Sequence, residues 1–294
     1  MRRLLVLFLA FVALMTGVGL WLTQPKITDP VVFQDLTPDI ANGALIFAAA
    51  GCASCHSNVD TKEGLAGGHA FVSAFGTFYA PNISQDTTYG IGSWSVENLA
   101  NAMIHGTSPG GTHYYPAFPY TSYANTEPQD ILDLFAYLRT TTAEPIPSIP
   151  HDVGFPFDQR WTLGGWKLLF VTKIPVLDAG ANDQLLRGRY LVETLGHCAE
   201  CHTPRNALGA VKRSQWLAGA PNPSGSGTIP NIRASDAGIG AWSEDEIVEY
   251  FQTGFTPDFD VVGGSMASVQ ENLAKLPESD LRAIVAYLKS LPAL

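Results

Sequence analysis

Cys52-Ala53-Ser54-Cys55-His56 and Cys198-Ala199-Glu200-Cys201-His202 are the two stretches that decide the fold of this 294-residue chain. They contain all four of its cysteines, so no cysteine is left for a structural disulfide. In a C-x-x-C-H stretch the two thiols can add across the two vinyl groups of one haem, and the adjoining histidine can offer its imidazole to the iron. The pattern therefore predicts two covalently attached haem c groups.

Two other sites use a Cys-x-x-Cys pair, a redox dithiol and half of a zinc site. A zinc site would need the two pairs to converge, although each pair lies in its own copy of a repeat. A dithiol would not need His56 and His202 at corresponding places. We therefore expect these histidines, with the cysteines before them, to be the haem ligands.

An internal repeat surrounds the cysteine pairs. Landmarks of the first half recur in the same order in the second half, at offsets from 146 to 150 residues. They are Ala80-Pro81-Asn82-Ile83 with Ile229-Pro230-Asn231-Ile232, Gly90-Ile91-Gly92 with Gly238-Ile239-Gly240, and Ala136-Tyr137-Leu138 with Ala286-Tyr287-Leu288. A repeat of this length indicates a duplicated domain. We predict domains over 26–141 and 183–294, joined by a proline-rich linker over 142–182.

Each domain is predicted to be helical with long loops, and no stretch of alternating residues indicates a substantial sheet. Residues 278–288 carry Leu281, Ile284, Val285 and Leu288 on one stripe, which is typical of an amphipathic helix. Ser95 and Ser243 are expected N-caps, with a full capping box only where Glu246 follows Ser243. The expected fold class is all-α.

The first 25 residues predict a membrane anchor. Arg2 and Arg3 precede an uncharged apolar run over 4–22, which is long enough to cross a hydrocarbon core of about 30 Å as a helix. No small-residue cleavage site follows it, so we expect an uncleaved signal anchor with the rest of the chain exported; a cleaved signal peptide is the alternative. The formal charge of −10 argues against nucleic-acid binding, since a polyanion needs a basic surface.

The ligand on the opposite face of each iron differs between the domains. Met266, in a loop before the last helix, is predicted to complete the second site as a His202/Met266 pair. The equivalent loop of the first domain has no methionine, and His113 lies in it. Met103 competes with His113, although core packing is its expected role, and a five-coordinate iron is the third alternative. Four other histidines are interpreted as ordinary polar residues: His69, His105, His151 and His197.

The linker contains a conspicuously apolar stretch, Trp161 to Phe170. Packing of the two domains against each other is the favoured interpretation. The alternative is a surface for the bilayer or for a membrane-bound partner.

Three stretches of the chain match motifs of a known family: Gly196 to Asn206, Trp166 to Phe170 and Tyr115 to Tyr120. It resembles the membrane-anchored multihaem cytochrome c subunits of bacterial periplasmic dehydrogenases, such as those of alcohol and gluconate dehydrogenases. That family usually has three haem domains and often carries methionine where Phe118 stands here.

The resemblance implies tandem class I cytochrome c domains, anchored in the bacterial inner membrane with the haems in the periplasm. It also implies electron transfer from a dehydrogenase catalytic subunit to quinone or to a terminal oxidase or acceptor cytochrome. Two other functions remain as alternatives: a dihaem peroxidase with an open first haem, and a free-standing membrane-tethered electron shuttle.

Overall fold

A computed structural model of the chain describes residues 1–222, 225 and 227–293. It is mostly helical, and none of the residues of its first helix, α1 (Arg2–Leu22), is buried. Within the described residues, α1 alone is both long and apolar enough to cross a membrane. An anchor and a signal sequence both fit this helix.

The first half contains α2 (Ile40–Ala49), α3 (Cys52–His56), α4 (Val96–His105), α5 (Tyr120–Tyr123) and α6 (Pro128–Leu138). The α2 helix begins after Asp39, whose carboxylate accepts hydrogen bonds from two backbone N–H groups of the first turn. The α4 helix begins at a complete capping box, since Asn98 Oδ1 accepts from the N–H of Ser95 at 3.2 Å. The sequence expectation of an incomplete box here was wrong, because an asparagine amide oxygen reaches that N–H as a glutamate oxygen does.

The second half repeats this order. It contains α8 (Asp183–Arg189), continued by a π-helical turn (Tyr190–Leu195), then α9 (Ala199–His202), α10 (Glu244–Thr253), α11 (Met266–Leu273) and α12 (Glu278–Ser290). The predicted capping box of Ser243 and Glu246 is present at the start of α10.

Two matched glycines hold the helix pairs of each half together. A Cβ at Gly43 would collide with the carbonyl oxygen of Asp133, so α2 lies directly against the backbone of α6. A Cβ at Gly188 would collide in the same way with the carbonyl oxygen of Ala283, where α8 packs on α12. The helix that precedes each cysteine pair is therefore fixed to the last helix of its own half.

Short hairpins depart from the all-α prediction. Strands β1 (Ala70–Ser73) and β2 (Gly76–Tyr79) pair antiparallel in the first half, and β3 (Ala220–Pro221) pairs with β4 (Thr228–Ile229) in the second. Part of the turn between β3 and β4 lies outside the described residues. These strands are too short for an apolar alternation to reveal them, which is why the sequence did not predict them.

The linker is ordered around a helix, α7 (Leu163–Phe170), preceded by a 3₁₀ turn (Arg160–Thr162). Trp166 joins the two halves, because its indole ring lies edge-on to Tyr120 and its Nε1 donates to the Leu208 carbonyl at 2.8 Å. Trp161 and Leu169, however, remain exposed. Packing between the halves thus accounts for only part of this apolar stretch.

Candidate haem-attachment sites

The cysteine pairs lie on short helical segments, α3 and the turn that leads into α9. All four thiols are unpaired. Burial raises the pKa of Cys52 and of Cys198 to about 12, so both thiols are protonated at neutral pH. Among the described residues, no three His, Cys, Asp or Glu side chains converge as a zinc site requires. Two thiols and one imidazole per copy fit covalent haem attachment.

Each adjoining histidine is oriented by a proline carbonyl. Nδ1 of His56 lies 2.8 Å from the carbonyl oxygen of Pro81, and Nδ1 of His202 lies 2.8 Å from that of Pro230. Because a carbonyl only accepts, Nδ1 carries the proton in both rings and the lone pair is on Nε2. Burial lowers the pKa of both histidines, which keeps the rings neutral. A neutral imidazole with its lone pair on Nε2 is the form that ligates a metal.

The hairpins explain how these carbonyls reach the histidines. Strand β2 ends two residues before Pro81, and β4 ends directly before Pro230. The side chain of Asn82 then fixes the first turn by donating to the carbonyls of Glu144 and Ile146, both at 2.8 Å. Sequence reasoning missed this role, although the repeated Pro-Asn-Ile was its signal.

Met266 is the first residue of α11 and is half-buried. Matching backbone bridges, Thr107 with His113 and Phe255 with Val261, align the loops of the two halves at an offset of 148 residues. That alignment places Phe118 opposite Met266. The ring of Phe118 packs beside Tyr123, with centroids 5.8 Å apart. The first half therefore has an aromatic ring where the second has a thioether.

His113 is buried, and both of its ring nitrogens are engaged. Lys167 Nζ lies 2.9 Å from its Nδ1, and its Nε2 lies 3.0 Å from the carbonyl oxygen of Thr23. Burial lowers the pKa of His113, and the charge of Lys167 lowers it further, so the ring is neutral and donates from Nε2. The end of α1 and the linker helix thus occupy both ring nitrogens in this structure. Ligation of the first iron by His113 stays a prediction, and it would require His113 to give up one of these two contacts.

Met103 lies on α4 with only 4% of its surface exposed, within the hydrophobic core. Its sequence counterpart in α10, Phe251, is also a core residue. This placement agrees with the packing role expected for Met103. His113, Met103 and an open sixth position all stay predictions for the first iron.

The two attachment segments contact each other. Tyr123 Oη donates to the Ala50 carbonyl at 3.1 Å, and the rings of Tyr123 and His197 lie edge to face with centroids 5.6 Å apart. Across the same interface, Asn272 Nδ2 donates to Ser54 Oγ at 2.9 Å. His197, read from the sequence as an ordinary polar residue, lies at this junction directly before Cys198.

The packing at this junction is reciprocal. Helix α11 of the second half contacts α2 of the first. Helix α5, the counterpart of α11, contacts the π-helical turn Tyr190–Leu195, which is the counterpart of the end of α2. In each half, the helix at the end of the loop that carries the candidate sixth ligand, α5 or α11, therefore packs against the helical segment that precedes the cysteine pair of the other half.

Comparison with known proteins gives three informative relatives. The sequence pattern of the cytochrome c family matches the chain twice, over residues 40–142 and 186–292. A diheme cytochrome c-type protein of Cereibacter sphaeroides is 51% identical over 298 residues, which cover 100% of both chains. The fructose dehydrogenase cytochrome subunit of Gluconobacter japonicus is 40% identical over 90% of this chain and 55% of its own length. The gluconate 2-dehydrogenase cytochrome c subunit of Pantoea cypripedii is 36% identical over 89% of this chain and 63% of its own length. The chain therefore spans little more than half of the two dehydrogenase subunits.

Proposed function

This chain belongs to the cytochrome c family, with two covalently bound haem c groups, and on that premise we propose that it is the electron-transfer subunit of a periplasmic dehydrogenase. The observation that carries the proposal is the matched pair of histidines, each with Nδ1 on a proline carbonyl and Nε2 free to bind iron. The relatives named as fructose and gluconate dehydrogenase subunits supply the class of partner.

At each site, different residues would attach the haem, ligate its iron and orient the ligand. Haem c, when bound, supplies a reversible one-electron iron couple. Cys52 and Cys55 would hold it in the first half, and Cys198 and Cys201 in the second. The proline carbonyls keep His56 and His202 in one orientation and one tautomer, so that neither ring has to move between redox states. Met266 would close the second iron and make that site suited to outer-sphere transfer.

The contact between the attachment segments supports a relay within one chain. Ala50, two residues before Cys52, accepts hydrogen bonds from Tyr123 and His197 through its carbonyl oxygen. Ala50 and Tyr123 are almost fully buried, which excludes water from the junction. The chain itself therefore sets the separation of the two redox groups, and no diffusive encounter is needed between them.

The remaining parts of the proposal follow the same premise. Residues 26–141 and 183–294 would be the haem domains in the periplasm, 142–182 their linker, and 1–25 the anchor in the bacterial inner membrane. The formal charge of −10 favours a catalytic partner with a complementary positive face. Electrons would leave to quinone, or to a terminal oxidase or acceptor cytochrome.

The test isolates the full-length haem-loaded protein from its own membrane in a mild detergent. A dehydrogenase catalytic subunit should accompany it, and the substrate of that enzyme should reduce both haems in a stopped-flow absorbance trace. A Cys198→Ser/Cys201→Ser variant should show one reducible haem in place of two. A protein that isolates alone, and that no dehydrogenase substrate reduces in its membrane, would support the free-standing shuttle instead.

One observation favours a second candidate, a dihaem peroxidase. Phe118 stands where the second half has Met266, and both ring nitrogens of His113 are hydrogen-bonded in this structure, which favours a first iron without a sixth ligand from this loop. A peroxidase needs such an open iron. A high-spin ferric fraction that turns over hydrogen peroxide would establish this function, whereas an unreactive first haem would exclude it.

A further inference from the structure

Exposed apolar side chains surround the linker helix where it meets the anchor. Trp161, Leu169 and Ile174 are 67%, 73% and 72% exposed. We propose that the face of α7 and its preceding turn that carries Trp161 and Leu168 lies in the headgroup region of the phospholipid bilayer. This inference rests on the anchoring role that the proposed function gives to α1.

The position of α7 relative to α1 is the first argument. A Cβ at Gly164 would collide with the backbone of Thr23, so α7 lies directly against the residue that follows α1. Trp161 and Leu168 are three residues before and four residues after Gly164, which puts them on the same helical face. That face therefore lies beside the end of α1, at the depth at which a membrane-spanning α1 would leave the bilayer.

The rigidity of α7 is the second argument. Lys167 Nζ donates to the carbonyl oxygens of His105 and Gly106, both at 2.7 Å. One residue earlier, Trp166 is bonded to the second half through Leu208. The helix is thus fixed to both halves of the protein. Its apolar face cannot turn inward, although exposing Trp161 and Leu168 to water costs free energy.

Charge and aromatic residues give the third argument. Residues 159–177 contain no acidic residue, in a chain whose net charge is −10. Lys173 is exposed and Arg160 is half-buried, whereas the ammonium of Lys167 is bonded inside the protein. A basic, apolar segment of this kind suits an interface with anionic phospholipids. Trp21 in the last turn of α1 is also exposed, so that it and Trp161 would both lie at headgroup level, where tryptophan is enriched.

A protein partner would also cover these side chains, but the adjoining anchor favours phospholipid as the occupant of this face. If α1 spans the bilayer, the adjoining face is within reach of the headgroups at all times, whereas a partner has to be recruited. Contact at this level would also fix the tilt of the haem domains, because Trp166 and Lys167 connect α7 to both halves.

The test places a nitrobenzoxadiazole label on single introduced cysteines of the full-length, haem-loaded protein in phosphatidylethanolamine and phosphatidylglycerol liposomes. The native cysteines are consumed by haem attachment and do not react. The probe positions are Leu168→Cys and Trp161→Cys, with Phe259→Cys as the exposed apolar control in the second half, where Phe259 is 87% exposed. Leu9→Cys in α1 reports on the anchor.

Labels at Leu168 and Trp161 should emit at shorter wavelength than the Phe259 label and be quenched several-fold more by doxyl-labelled lipid than by iodide. Labels there that behave like the Phe259 label, while the Leu9 label is quenched by lipid, would overturn this inference and leave the anchor intact. A Leu9 label that is also aqueous would overturn the anchor and this inference together. Protection that arises only on adding the partner dehydrogenase would assign the face to protein and overturn the lipid contact.

Discussion

Nζ of Lys167 lies 2.9 Å from Nδ1 of His113, and this contact joins the linker helix to the loop over the first haem site. The other ring nitrogen of His113 reaches the carbonyl of Thr23, directly after α1. His113 is therefore the point at which α1, the linker and the first half of the protein are connected. We expect its role to be structural, and experiment can separate that role from haem ligation.

Replacing His113 with alanine should leave the ferric absorption spectrum unchanged. It should lower the free energy of unfolding by about 2 kcal/mol, because a buried carbonyl and an ammonium lose their partner. Ferric spectra and denaturant titrations measure the two effects. Val261→Ala is the control, since Val261 is the exposed counterpart in the second half and should have a small effect. A new high-spin band in His113→Ala would restore His113 as a ligand.

Replacing Met266 with alanine should change the spectrum of one haem only and lower its reduction potential, because methionine ligation raises the potential of a haem iron. The other potential should stay where it is in the unaltered protein. A spectroelectrochemical titration resolves the two. If both potentials are unchanged, Met266 is not a ligand.

Replacing Met103 with leucine should preserve both spectra and change the free energy of unfolding by less than about 1.5 kcal/mol, as volume-conserving core substitutions do. This expectation follows from the buried position of Met103 on α4. Loss of a low-spin signal from the first haem would instead identify Met103 as its sixth ligand.

Replacing Gly43 or Gly188 with alanine should destabilise the protein by roughly 3 kcal/mol, since the added methyl group meets a backbone carbonyl of the partner helix. Denaturant titration followed by circular dichroism measures the loss. Gly165→Ala in α7 is the matched control: its Cβ would meet open space, and alanine favours a helix. Equal stabilities of Gly43→Ala and Gly165→Ala would refute the close packing of α2 on α6.

His105 should contribute acid sensitivity. Burial, followed by the charges of three nearby lysines, lowers its pKa from 6.5 to about 4. The unfolded chain therefore binds more protons between these values, so the free energy of unfolding falls as the pH drops from 6.5 toward 4. His105→Gln, neutral throughout, should remove on the order of 1 kcal/mol of that fall, a figure discounted for the partial exposure of the ring. Denaturation midpoints at pH 7 and pH 4.5 test this, with the exposed His69→Gln as control; parallel slopes for His105→Gln and the unaltered protein would contradict it.

The features that could be predicted from sequence are those encoded within one segment. The cysteine pairs, the repeat and the stripe of Leu281, Ile284 and Leu288 all depend on spacing within a few residues or on a comparison of the halves. The cap at Ser243 was equally local. At Ser95 the local rule was applied too strictly, because asparagine was not counted as a capping partner.

The features that could not be predicted depend on distant segments. The hydrogen-bond partners of His113 are Thr23 and Lys167, which are 90 and 54 residues away in the chain. The carbonyl of Pro81 reaches His56 only because a hairpin too short to leave an apolar pattern turns the chain back. Trp166 and Trp161 are alike in sequence terms, yet one is bonded between the halves and the other faces outward.

The reciprocal packing of α11 on α2 and of α5 on Tyr190–Leu195 has the form of a two-fold symmetric dimer built into one polypeptide. In a true homodimer, any substitution near the iron would alter both centres at once. Here the copies are encoded separately, and one carries Phe118 where the other carries Met266. Gene duplication has thus kept the geometry of a symmetric pair while freeing each centre to acquire its own chemistry.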